Sequence, residues 1–240
     1  MLISLYHLGL TLHTGAESPA APPPSGISLD ALSEAAGAAV SSLTWAHVVG
    51  AGSNQILIVT PAALNNGATV AVTGVTYGGV ALTRAVVKSR SDSGYYQETS
   101  VWYLVNPAVG TADIVVTYTG TCLLVSAGAI SLFSVHQTSP VNTTASKVNN
   151  QATDTISATT TVDKCWTFDA YTAYIAAAMT FVSWGAGQTE NWQYDATSGT
   201  SRHSSGSSRK EDVATGGVSH AFTLSRSALS CHVLVAFAPA

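Results

Sequence analysis

The stretch VTYGGVALT, residues 75–83, places two adjacent glycines between arms rich in β-branched and apolar residues. Gly78 and Gly79 can both adopt positive φ, as a two-residue type I′ turn requires, so the segment predicts a tight antiparallel hairpin. The same texture fills the rest of the chain. LTWAHVV, the turn GAGSN and QILIV predict a hairpin with a five-residue loop. ISLDALSEAAGAAV before it suits an edge strand better than a helix, despite its alanines. ETSVWYLVN ends at Pro107 and ADIVVTYTG follows, while CLLVSAGAISLFSV is apolar throughout and predicts a central strand covered on both faces. DTISATTTV alternates, and CWTFDAYTAYIAAAMTFV reads as a further long apolar strand, with helix the weaker alternative. GAGQTENWQYDATSGTSRHSSGSSRKED, residues 185–212, is the longest polar stretch and reads as loop. SHAFTLSR and CHVLVAFAPA close the chain as strands. Short strands punctuated by Gly, Asn and Pro, without strand–helix alternation, predict an antiparallel sandwich or barrel.

Composition narrows the function classes. Charged residues are 9% of the 240, against about 25% in ordinary soluble proteins, and the net charge is −4. No basic footprint for nucleic acid exists, and no Lys/Arg cluster for an anionic membrane; the charges of SRKED, residues 208–212, cancel. Polarity comes instead from Ser, Thr, Asn and Gly, which suit strand faces and turns. A free monomer keeps more surface charge for solubility, whereas a subunit covered by copies of itself needs less.

Two regions follow, an arm of residues 1–25 and a β domain of residues 26–240. The arm begins with Leu2, Ile3, Leu5, Tyr6, Leu8, Leu10 and Leu12 and continues into Pro22, Pro23 and Pro24. Consecutive prolines favour a stiff polyproline II spacer. An apolar tip on such a spacer is expected to reach a neighbouring subunit. As a secretion signal it lacks a basic start and a convincing cleavage site, and it is short for a membrane span.

Several segments, taken in order, resemble a jelly-roll β-sandwich domain family. They are LTWAHVVGAGSNQILIV, VTGVTYGGVALT, VWYLVNPAVGTADIVVTY, AGAISLFSVHQTSPV, GAGQTENW and the terminal VLVAFAPA. That family occurs in bacteriophage virion and tail proteins and in secreted bacterial proteins. The chain departs from it at Gln55, where Arg is common, and at Ser134 and His136, where Gly and Asp are more usual. The resemblance implies an all-β antiparallel jelly-roll β-sandwich with an extended N-terminal arm. It also implies a structural role in a virion, as a homotrimeric capsid decoration (cement) protein docked on a major capsid or tail protein. A secreted protein is the alternative location.

Signals for chemistry are weak. Cys122, Cys165 and Cys231 lie in apolar strands without a CxxC pair, and read as buried structural thiols, with one disulfide the alternative that no spacing supports. Trp45, Trp102, Trp166 and Trp184 lie in strands and are expected to fill the space between sheets. His47, His136, His203, His220 and His232 coexist with many serines, yet no Gly-x-Ser-x-Gly elbow is present. Glu98, Asp113, Asp169, Glu190 and Asp195 are too scattered to read as a paired-carboxylate site. No phosphate loop, Rossmann fingerprint or EF-hand spacing occurs. The expectation is a non-enzyme without cofactor or metal. The second function class is carbohydrate or receptor binding by two aromatic loops, 88–100 and 185–212. Tyr95, Tyr96, Trp192, Tyr194, Arg202 and His203 would make the glycan or protein contacts.

Overall fold

The computed structural model describes residues 26–199 and 201–240; the predicted arm lies outside them. Their regular secondary structure consists of fifteen strands, and every pairing between them is antiparallel. One strand organises the first sheet. ADIVVTYTG and CLLVSAGAISLFSV, expected as two strands, form a single one, β7 (Gly110–Phe133). Along its length it pairs with β1 (Ser28–Val49), from Val49 opposite Gly110 to Ser28 opposite Phe133. β3 (Val72–Tyr77) also pairs with β7 at residues 114–118, and β2 (Ile56–Asn66) at residues 124–132. The predicted 43–59 hairpin is therefore corrected: both strands exist, but β7 lies between them. A continuous apolar strand offers two edges, and both were filled.

The Gly-Gly turn is present. Gly78 and Gly79 have φ of 54° and 83°, and Tyr77 pairs with Val80 of the two-residue β4 (Val80–Ala81). Beyond Leu82 the chain changes partner, and β5 (Thr83–Asp92) pairs with β6 (Tyr95–Val105), which in turn pairs with β2. β4 and β5 are thus at opposite ends of the sheet order although one residue separates them, because the sheet curls until nearly closed. Leu57, Val59, Val75, Tyr77, Leu82, Trp102, Ile114 and Val116 fill its interior. The alternate residues Ile56, Ile58, Val101, Ile130 and Leu132 point outward, onto Trp166, Phe168, Val233, Val235 and Phe237 of a second sheet. Period-two alternation with both faces covered is why residues 56–59 of β2 and the second half of β7 are largely apolar, with only small hydroxyl residues such as Ser126 and Ser131 among them in β7.

The second sheet runs β12 (Thr189–Ser198), β13 (Ser201–Val213), β10 (Cys165–Ile175), β15 (Leu229–Phe237) and β8 (Val141–Asn149). On its far face Tyr171 and Ala173 pack against Phe222 and Leu224 of a third, smaller sheet. That sheet orders β11 (Phe181–Trp184), β14 (Gly216–Leu224) and β9 (Thr153–Thr160). The second sheet is the middle of three layers. The tryptophans serve different layers: Trp45 and Trp102 pack with the curled sheet's core, Trp166 between first and second sheets, and Trp184 between second and third.

The largest correction concerns residues 185–212. They are not loop but β12 and β13, and Ser204, Ser205, Ser207 and Ser208 of β13 are fully buried. A polar strand is tolerated there because each hydroxyl has a partner. Ser204 bonds the Tyr171 hydroxyl at 2.8 Å, Ser205 the Ser126 hydroxyl at 2.7 Å, and Ser208 donates to Asp169 at 2.6 Å. Asn191 donates to Ser207 at 3.1 Å.

Candidate functional site

Two places concentrate functional groups. The first lies between the second and third sheets, where odd-numbered residues of β10 and even-numbered residues of β15 point the same way. The Asp169 Oδ1 accepts from both the backbone and the hydroxyl of Ser208, at 2.8 and 2.6 Å. Its Oδ2 accepts from His232 Nε2 at 3.0 Å. His232 Nδ1 lies 3.5 Å from Asp154, whose other oxygen meets the half-exposed Lys147 ammonium at 2.7 Å. His220 completes the group, bonding Thr167 at 2.8 Å and lying 3.5 Å from Asp169. Asp154, Asp169, His220 and His232 are fully buried.

Charge balance explains how such a chain survives burial. Burial by itself would raise both carboxyls, but hydrogen bonds and charges from their neighbours outweigh it. His220 and His232 hold Asp169 well below the usual carboxylate range, and His232 and Lys147 depress Asp154. Burial would lower His232, yet its contacts with Asp154 and Asp169 and their charges raise it instead. The Lys147 ammonium and His232 thus lie against the two carboxylates. A Ser–His–Asp set is therefore present in Ser208, His220 and Asp169, but the serine hydroxyl is spent on the carboxylate. Ser208, His220 and Asp169 are all fully buried. A similar arrangement sits at the β1–β7 pair, where Ser131 donates to Asp30 at 2.7 Å and also contacts buried His47 at 3.2 Å.

A pH profile follows from the histidines. His203 is buried beside Thr172, its Nδ1 has no hydrogen-bond partner, and burial pushes its pKa down to about 4. A histidine depressed on folding costs stability as pH falls below its unfolded value of about 6.5, until the folded value is passed. His47 is lowered by burial in the same direction. His232, raised on folding, contributes stability below about pH 6.5 that is lost as pH rises through its folded pKa. Stability is expected to peak near pH 6.5 and to fall by about 3 kcal/mol from there to pH 4, at about 1.4 kcal/mol per pKa unit. Urea titrations across pH check this: His203→Gln should flatten the acid limb and His232→Gln the alkaline one.

The second place is one end of the layers, where the two predicted aromatic loops meet. Tyr95, just past the Ser93-Gly94 turn, stacks on Tyr174 of β10 with centroids 4.0 Å apart. Ser201, at the start of β13, donates to the Tyr95 hydroxyl at 3.3 Å. These contacts hold the Tyr95 pKa below its usual value, while burial and Tyr95 itself push Tyr174 up to about 12. The pair lines a groove of about 420 Å³ with Asp92, Ser93, Asn150, Ile175, Ala176 and the Ser227–Leu229 turn.

Of the six residues predicted for contacts, only Tyr95 lines that groove. Tyr96 packs against the core of the curled sheet. Trp192 is buried, donating to Thr60 at 2.8 Å, and His203 is buried. Tyr194 lines a separate hollow beside Glu34, and Arg202 another beside Asp195 while bonding Gly199 at 3.0 Å. The sheet pleat separates them: neighbours in a strand point to opposite faces. Tyr174 and Asn150 escaped sequence reasoning, the first because it reads as an apolar strand residue and the second because it reads as a turn.

All three cysteines are free and buried; burial pushes Cys122 up to about 11, Cys231 up to about 12, and Cys165 upward as well. Such thiols stay protonated and unreactive. Among the described residues, no group of three or more His, Cys, Asp or Glu is placed to hold a metal ion, and no helix is long and apolar enough to cross a membrane. Comparison of the chain with protein-family models, with curated proteins and with solved structures finds no match.

Proposed function

We propose that the protein is a non-enzymatic structural subunit of a phage virion, a homotrimeric cement protein that binds its neighbours through strand edge and arm. The layered β domain is a jelly-roll variant in this reading, and residues 1–25 dock on a major capsid or tail protein. The observation that carries the proposal is β1. Among the described residues its 22 residues pair with β7 alone, so its other edge has no strand partner there. Leu29, Leu32 and Val48 are exposed along it, and it contains no Lys and no Pro. Monomeric proteins blunt such an edge with those residues or cover it. The low overall charge and the sealed Ser208–His220–Asp169 group support an assembling rather than a catalytic subunit.

Light scattering tests this on the full chain, on a chain lacking residues 1–25, and on Leu32→Lys/Val48→Lys. The full chain should have the mass of three copies and decorate phage shells. The lysine variant should become monomeric with its melting temperature unchanged, since both positions are solvent-facing. The shortened chain should lose shell binding. A full chain that stays monomeric and leaves shells bare overturns the proposal.

A further inference from the structure

We propose that the groove beside Tyr95 and Tyr174 is a binding site for a neutral hexopyranose ring. This inference does not rest on the assembly proposal. The groove is built from four separate segments that converge at one end of the layers. These are the β5–β6 turn (Asp92, Ser93, Tyr95), the β8–β9 turn (Asn150), the end of β10 (Tyr174 to Ala176) and the β14–β15 turn (Ser227 to Leu229). Its volume of about 420 Å³ falls within the range of small-ligand sites, which run to about 300–1,000 Å³.

The lining has the chemistry that a sugar ring requires. A pyranose presents an apolar C–H face and a rim of adjacent hydroxyls. Tyr95, Ile175, Ala176 and Ala228 supply apolar surface for the face. At the rim, the Asn150 amide both donates and accepts and the Ser227 hydroxyl does either, while the Ser93 hydroxyl, which donates to Asp92 at 2.9 Å, and the other Asp92 oxygen accept. Charge then selects the class. The lining contains no Lys, Arg or His, and its one acid, Asp92, lies 3.5 Å from Arg90, whose own side chain is outside the groove. Nothing there would hold a phosphate, sulfate or carboxylate, and a neutral polyol fits.

The walls are fixed before any ligand arrives. Arg90 donates to the Asn149 carbonyl at 2.8 Å, joining the β5–β6 hairpin to the β8–β9 turn. Gln97 donates to the Leu229 carbonyl at 3.2 Å, joining β6 to β15. The Tyr95–Tyr174 stack and the Ser201 hydrogen bond hold the aromatic wall. A groove held in this way loses little conformational entropy on binding.

The test titrates the full chain with methyl glucopyranoside, methyl galactopyranoside, methyl mannopyranoside and N-acetylglucosamine, following tyrosine-ring NMR shifts and calorimetric heat. At least one of these is expected to saturate in the millimolar range, with shifts at Tyr95. Tyr95→Ala should weaken it tenfold or more. Asn150→Ala, a change at a turn, should weaken it severalfold with an unchanged melting temperature, so that lost binding cannot be ascribed to lost fold. Three results would each overturn the inference: no saturation by any of the four, equal affinity in wild type and both variants, or preference for glucuronic or sialic acid over the neutral sugars.

Discussion

Asp169→Ala should cost about 3–5 kcal/mol of folding stability, the usual loss when one partner of a buried ion pair is removed. The side chain is fully buried and takes up three hydrogen bonds, two from Ser208 and one from His232. Removing it leaves the Ser208 backbone N–H unpaired and takes from His232 one of the two carboxylates that raise it. Asp169→Asn keeps the volume and one acceptor but loses the charge, so its loss should be smaller. In an Asp169→Asn/His232→Gln double variant no charge is left uncompensated between the two positions, and the combined cost should be less than the sum of the single costs. Urea titration reads all three. An Asp169→Ala loss below about 1 kcal/mol, the range of solvated ion pairs, would show that water reaches the network and screens it.

Trp192→Ala should be nearly as damaging, at about 3–5 kcal/mol for a large aromatic removed from a core. Trp192 bridges two layers: from β12 its indole lies over Gly128 of β7 and donates to Thr60 of β2. A methyl group on Gly128 would fall within the indole itself, so Gly128→Ala should cost about 1–3 kcal/mol by overpacking. The two changes share one space. Gly128→Ala should therefore be nearly neutral in a Trp192→Ala background, and the double-mutant cycle should show coupling of about 1 kcal/mol or more. Additive losses would mean that the tryptophan does not occupy that space. The outcome also decides the tryptophan's role, since a glycan-contacting residue would lose binding on truncation while leaving stability almost unchanged.

Much of the strand content could be read along the chain. The Gly78-Gly79 hairpin was legible because only a few residues tolerate two positive φ angles in succession. The double-faced burial of the second half of β7 was legible from its largely apolar run, and the burial of the thiols from their apolar neighbours. The candidate site was much less so. Of the residues that line the groove beside Tyr174, Asp92, Ser93 and Tyr95 fall within the predicted contact loop 88–100, and the others come from three further turns and strand ends whose convergence no local pattern records.

What the sequence determined by itself is an antiparallel β protein of low charge, with its apolar faces marked by alternation. What only the tertiary structure decided is who pairs with whom and which polar residues are inside. Period-two patterning marks the faces of a strand but not its neighbours, so β1 and β2 could as well have formed a hairpin as flanked β7. A serine carries too little surface to commit its strand to either side of the protein. SRHSSGSSRK became the buried middle of three layers because Asp169, Tyr171, Ser126 and Asn191, all from other strands, arrived with hydrogen-bond partners for its hydroxyls. Burial of a polar strand is a property of the groups that meet it, and those come together only when the layers close.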